Sequence, residues 1–304
     1  MRFNDIFDAT ANGSVDDVRF FIEQGVDVNA RNKHGETPLH LAIKNKSCFE
    51  ILEYLVSQGA DVNAKNNYEV PLLHYVVMES SANVLEYLIS QGADVYVKDN
   101  NGGIPLHFAA LHNSHIDILR YLIMLGVDIN VKNNYGATPL HYAATNPDLN
   151  IDVLQYLIAQ GADVNARVDP GWTVLHILAT HNSSVDIFEY MITQGLDVNA
   201  KDNDGDTPLH SAVSFNTVDV VKFLIAKGAD VNAKNNEGST LLHACTSIDV
   251  LKFLVTQELD VNAKNCEGET PLDLIKIIDE EDNEYEMEMQ AILRAAGGKR
   301  GEEL

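Results

Sequence analysis

Residues 194–210, Q-G-L-D-V-N-A-K-D-N-D-G-D-T-P-L-H, decide how the chain folds. Gly195 suits the residue just past a helix end, where the backbone turns left-handed. Residues 197–206 are crowded with Asp, Asn and Gly, the residues of tight turns. Thr207 offers an N-capping hydroxyl, and Pro208 follows at the first helical position, where a missing N–H costs nothing. One helix ends, the chain turns as a hairpin, and the next helix begins.

The same stretch recurs along the chain. The Asp of D-V-N-A falls at Asp27, Asp61, Asp94, Asp128, Asp163, Asp197, Asp230 and Asp260. The T-P-L-H end falls at His40, His74, His107, His141, His176, His210 and His243, with Asp273 in the last slot. Steps of 33 to 35 residues, and a final one of 30, are the period of a solenoid. From each helix-ending position (Gly25, Gly59, Gly92, Gly126, Gly161, Gly195, Gly228, Glu258) to the next His slot the count is always 15. From each His to the next helix end it varies between 15 and 20. A fixed turn segment and a variable helix pair are expected if neighbouring turns bond to one another in register.

The motifs G-x-T-P-L-H and G-A-D-V-N-A resemble those of the ankyrin repeat, over roughly residues 3–296. The resemblance implies an all-α solenoid of helix pairs with β-hairpin fingers, and a concave face that holds other macromolecules. Expected boundaries are an N-terminal capping repeat at 1–30, seven internal repeats at 31–263, and a C-terminal capping repeat with an acidic helical tail at 264–304. Residues 279–288 hold seven acids, a helix is expected from Met289 to Ala296, and a disordered tail after Gly298. Asp17 takes a slot that is Ile or Val in later repeats, as a terminal face in water should.

Three departures stand out. Glu69 replaces the turn glycine and Pro71 sits in the Thr slot, so that finger is expected to be distorted. Tyr96-Val97 replaces Asn-Ala. Glu258 replaces a helix-ending glycine next to a shortened helix pair, which predicts a softer C-terminal end, since a non-Gly residue in a left-handed site costs roughly 1 kcal/mol.

The net charge of −24 disfavours nucleic acid and anionic membrane surfaces as partners. Cys48, Cys245 and Cys266 are far apart in sequence and show no disulfide or metal-ligand spacing; reduced thiols fit a cytoplasmic protein. No signal-peptide or membrane-length apolar run is visible. Residues 202–206, D-N-D-G-D, place the glycine before the third acid, and Val213 stands where a calcium loop needs Glu. No phosphate loop or nucleophile elbow occurs, so no catalytic, cofactor or metal residues are expected. The aromatic row Phe20, Tyr54, Tyr87, Tyr121, Tyr156, Tyr190, Phe223 and Phe253 reads as interlayer packing. The basic row Arg31, Lys65, Lys98, Lys132, Arg167, Lys201, Lys234 and Lys264 lies at the finger roots and reads as structural.

The expected function is non-catalytic binding of a partner protein by a monomer, on the finger tips and the inner-helix face. The partner-binding residues expected there are Tyr68, Leu111, His112, Tyr135, Trp172, His181, Asp206 and Phe215, with Tyr135, Trp172, His181 and Phe215 at the centre. For Trp172 and Tyr135 the alternative is packing on adjacent fingers. One competing function is regulation or inhibition of a partner enzyme. Another is modification: Asn63, Asn130, Asn165 and Asn232 resemble targets of the asparaginyl hydroxylase that acts on ankyrin repeats. Divergent repeats without a second domain also resemble ankyrin proteins of host-associated bacteria, some of which are delivered into eukaryotic cells.

Overall fold

The structure is a computed structural model that describes residues 3–79, 81–112, 116–182, 184–275 and 284–304. Its helices come in antiparallel pairs. They are α1 (Ile6–Asn12) with α2 (Val15–Glu23), α3 (Pro38–Lys44) with α4 (Phe49–Ser57), and α5 (Leu72–Glu79) with α6 (Ala82–Ser90). Next come α7 (Pro105–Leu111) with α8 (Ile116–Met124), and α9 (Pro139–Ala144) with α10 (Ile151–Ala159). The remainder are α11 (Val174–His181) with α12 (Val185–Thr193), α13 (Pro208–Phe215) with α14 (Val218–Ala226), α15 (Leu241–Ala244) with α16 (Ile248–Leu254), and α17 (Pro271–Leu274) with α18 (Glu284–Ala295). The fold is the expected all-α repeat solenoid. Among the described residues no strand forms; the fingers carry only isolated antiparallel bridges, Lys65 with Pro71, Val168 with Trp172 and Lys234 with Thr240.

Contacts divide the chain into two compact units. The first comprises residues 1–143 and 152–162, the second 144–151 and 163–304. Within the first, α3 packs on α1, α4 and α5, and α5 on α6 and α7. Within the second, α13 packs on α11, α14 and α15, and α16 on α18. Both cores are aliphatic. Leu39, Leu55, Leu72, Leu88 and Leu106 are buried in the first, Leu175, Phe188, Leu209, Leu224 and Leu254 in the second. Each such side chain contributes about 1.5–3 kcal/mol by leaving water.

Asp17 does more than face solvent. Its carboxylate accepts from the Ser14 N–H and hydroxyl, closing a capping box at the start of α2. At the other end, the expectation of a disordered tail is corrected. Gly297 turns left-handed at φ 93°, and residues 298–303 fold back onto the last finger, ending in a 3-10 turn at Gly301–Glu303. The anchors explain why. The Lys299 N–H donates to Asn262 Oδ1, the Thr270 hydroxyl donates to the Lys299 carbonyl, and Arg294 forks onto the Glu303 carboxylate. α18 also begins at Glu284, five residues before the expected Met289 (289 − 284). Residues 279–283 of the acidic run lie outside the described residues.

Candidate interaction surface

The fingers form from Asx turns. In each case one side-chain oxygen takes two backbone N–H groups: Asn32 those of His34 and Glu36, Asn133 those of Tyr135 and Ala137, Asp202 those of Asp204 and Asp206. Tip then bonds to tip. Asn67 N–H donates to His34 O, and Asn134 N–H to Asn101 O, in the first unit. Asn203 N–H donates to Pro170 O, and Asn236 N–H to Asp204 O, in the second. This is the register that the constant 15-residue segment required.

The T-P-L-H histidines are structural. Nδ1 of His40, His176, His210 and His243 accepts the N–H of the Thr three residues earlier, which places the proton on Nε2. That nitrogen donates to the next finger, from His176 to Asp206 O and from His243 to Glu269 O, each at 3.1 Å. Burial pushes these imidazoles down, His40 to about 4, so they are neutral at pH 7.

The finger with Glu69 and Pro71 is a partial correction. Glu69 adopts φ 58°, and Asn66 still takes two N–H groups, so the turn keeps its shape. The disturbance lies deeper. Pro71 has no N–H to give, so Nδ1 of buried His74 has no partner. Nε2 of His40 and of His210 also lacks one, and for His210 no proline stands in the next finger. Glu258 takes φ 56°, the left-handed site expected of it.

Among the described residues, five of the eight cations in the basic row, all but Lys98, Lys132 and Lys234, bond a backbone carbonyl of the next repeat or tail. Arg31 donates to Lys65 O, Lys65 to Lys98 O, Arg167 to Lys201 O, Lys201 to Lys234 O and Lys264 to Gly301 O. Apart from exposed Phe20 the aromatic row is half-buried, and three of its rings lie beneath cations of the preceding repeat: Arg19 over Tyr54, Arg120 over Tyr156, Lys222 over Phe253.

Asn of the V-N-A segment clamps the next turn. Asn63 donates to Gly92 O at 3.0 Å and accepts from Asp94 N–H at 2.8 Å; Asn199 does the same with Gly228 and Asp230. Among the described residues, the side chains of Asn165 and Asn232 make no such bonds. Small cavities of about 120 Å³ and about 110 Å³ open beside them instead, lined by Leu196 and Leu259. The clamped junctions put Ala60, Ala93 or Ala229 where the open ones put Leu. The longer side chain holds the next turn out of the amide's reach.

The expected partner-binding residues fall into three groups. Tyr68 and Tyr135 in the first unit, and Phe215 in the second, stand 66%, 55% and 67% exposed. His181 is exposed at the end of α11, its Nδ1 bonded to Ile177 O. Leu111 and His112 are half-buried at the end of α7. Asp206 gives its N–H to Asp202, and its carboxylate lies 4.0 Å from His210. Trp172 is half-buried; its indole donates to Asp202 of the next finger at 3.0 Å, and its ring stacks on His176. Tyr135 and the group of Trp172, His181 and Phe215 belong to different units.

Sequence reasoning missed Met124 and Leu125, 73% and 40% exposed. Comparison of repeat slots would have found them, since the same pair reads Ser-Gln at 57–58 and 90–91 and Thr-Gln at 193–194 and 256–257. Among the described residues no group of three or more His, Cys, Asp or Glu is placed to hold a metal ion, and no helix is long and apolar enough to cross a membrane.

A family model of ankyrin repeats in three copies matches residues 6–66, 73–168 and 150–235, and one of ankyrin repeats in many copies matches 45–89. No curated protein matches the sequence.

Proposed function

Since the chain belongs to the ankyrin-repeat family, we propose that it is a non-catalytic module that binds a partner protein through its finger tips and the ends of its first helices. The observation that carries this reading is Phe215. It closes α13, makes no contribution to the buried core, and leaves a large apolar ring in water where the neighbouring first helices α11 and α15 end in His181 and Ala244. A solvated Phe at such a place is costly unless it is covered in a complex. Tyr68 and Tyr135 present the same feature on the tips of the first unit. Trp172 contributes as a brace that fixes its finger against the next. The three free cysteines suit the reducing cytoplasm, of the producing cell or of a host. Regulation of an enzyme would be one use of such binding.

The test is capture and titration. A partner recovered by the immobilised chain is titrated by calorimetry against Phe215→Ala, which should lose on the order of 2 kcal/mol of affinity with an unchanged melting temperature. Unchanged affinity would sink the assignment of Phe215.

One observation favours asparaginyl hydroxylation as a second reading. An enzyme must draw the target amide away from its neighbours. The amides of Asn165 and Asn232 start unbonded, whereas that of Asn63 must break two bonds and that of Asn130 at least its bond to Gly161 O.

A further inference from the structure

We propose a second docking surface in the first unit, formed by Tyr96, Met124 and Leu125, which receives a short partner segment with apolar anchors flanked by Lys or Arg.

Three departures from the repeat meet at this one place. The second helices of three other repeats close on Glu23-Gln24, Ala159-Gln160 and Ala226-Lys227, and those of four, α4, α6, α12 and α16, on a small hydroxyl residue followed by Gln. There the hydroxyl closes the helix, as Ser57 does on Tyr54 O, Ser90 on Tyr87 O, Thr193 on Tyr190 O and Thr256 on Phe253 O. The following Gln then donates to that hydroxyl. α8 ends instead in Met124 and Leu125, so both hydrogen bonds are given up and the space goes to exposed apolar atoms. The third departure is Tyr96. It occupies the slot from which Asn63 clamps the carbonyl of Gly92, and the counterpart of Gly92 in the next repeat is Gly126, the neighbour of Leu125. Tyr96 gives up the clamp and stands 54% exposed. Each change lowers local hydrogen bonding and raises wet apolar area, which folding alone does not favour.

Area and charge select the occupant. Together the three side chains expose on the order of 300 Å². A stable dimer needs about 800 Å² from each copy, so a second copy of this chain does not fit the patch. With a net charge of −24 per chain, two copies also repel. The turns that flank the patch carry exposed Asp94 and Asp128, two residues before Tyr96 and three after Leu125, each accepting one backbone N–H of its own turn, and an exposed cation, Lys98, two residues after Tyr96. Arg120, one helical turn before Met124, is already paired with Asp117 and laid over Tyr156. A short amphipathic segment with basic flanks satisfies both the apolar centre and the acidic margin. This surface is distinct from the finger tips and does not depend on the role of Phe215.

The probes are two fluorescein-labelled helical peptides, one of Leu and Lys and one of Leu and Glu, followed by anisotropy at about 0.15 M salt. The full chain should bind the Leu/Lys peptide and not the Leu/Glu peptide. The double variant Met124→Ser, Leu125→Gln restores the pair found in other repeats and so stays folded. It should weaken Leu/Lys binding by about tenfold or more, Tyr96→Asn should weaken it further, and Phe215→Ala should leave it unchanged. Equal binding by the double variant would show attraction by net charge alone and overturn the proposal. So would a dimer in sedimentation equilibrium that the double variant dissolves, or tighter binding to phosphatidylcholine vesicles than to the peptide.

Discussion

The junction after Asn63 and the junction after Asn232 use the same motif and reach different ends. At the first, one amide holds the next turn through two hydrogen bonds, with Ala93 leaving room for it. At the second, Leu259 stands in the alanine position, a cavity opens, and the amide of Asn232 faces water. The difference shows that a repeat motif does not carry its own junction. The clamp is a property of two residues about 30 positions apart, the Asn and the residue after the next helix end. Solenoid stability sums local and neighbour terms, so such pairs set where the array holds and where it yields.

The strongest way to break this comparison is acid. His40, His74, His107, His176, His210 and His243 all have pKa values lowered by burial, His40 to about 4. A group depressed in the folded state leaves stability intact above the unfolded value near 6.5. Stability then falls as the pH drops from there toward the folded value, because only the unfolded chain takes the proton. For His40 alone the loss approaches ~3 kcal/mol by pH 4. The last junction uses Asp273 instead. Burial opposes its charge, yet hydrogen bonds from Thr270 and Gly301 hold its carboxyl below the usual range. Its contribution is present above the unfolded value near 3.8 and is lost only below that. Hydrogen exchange at pH 7 should show residues 240–275 opening before residues 190–230. At pH 5 the gap should narrow, because residues 190–230 depend on two depressed histidines, His210 and the His176 that bonds Asp206 O, whereas residues 240–275 depend on His243 alone and keep Asp273 charged. A gap that widens would show that the histidines do not control the fingers.

Alanine scanning of the clamp gives a smaller effect. Asn63→Ala should cost about 1–2 kcal/mol, two net hydrogen bonds, and Asn232→Ala less than about 0.5 kcal/mol. Chemical denaturation of the two variants measures both. Equal losses would mean that the open junction is bridged in solution.

The least disruptive probe is enzymatic. Exposure to an ankyrin-directed asparaginyl hydroxylase, followed by peptide mass mapping, should show added oxygen at Asn165 and Asn232 before Asn63 and Asn130, with little change in melting temperature. Modification of Asn63 first would remove the link between the clamp and access.

Much of this was legible in the residues. The period, the turn glycine, the Thr–His pairing and the role of the basic row follow from local chemistry repeated in register, where each copy checks the others. Glu69 shows the limit of that logic. Its φ of 58° preserved the turn, and the cost of its neighbour Pro71 appeared on the ring of His74, three residues on. Trp172 shows a second limit. Its slot suggested a free aromatic, but its indole found Asp202 30 residues away. Neither the clamp nor the fold-back of residues 298–303 has a local signature, because both depend on what the next layer presents. The Met124–Leu125 pair was visible in the alignment of slots but broke no rule within its own helix.

The pairing of Asn with the residue beyond the next helix end also bears on how such arrays change by exchange of parts. A repeat cut out between equivalent points and moved elsewhere keeps its own helices, yet meets a new neighbour across the boundary. Joined ahead of Leu196 or Leu259, the repeat that ends in Asn63 would lose its grip; joined ahead of Ala229, the one that ends in Asn165 would gain one. Recombination within this chain would therefore rewrite the strength of its seams without altering any repeat, and the order of the copies is itself a heritable variable.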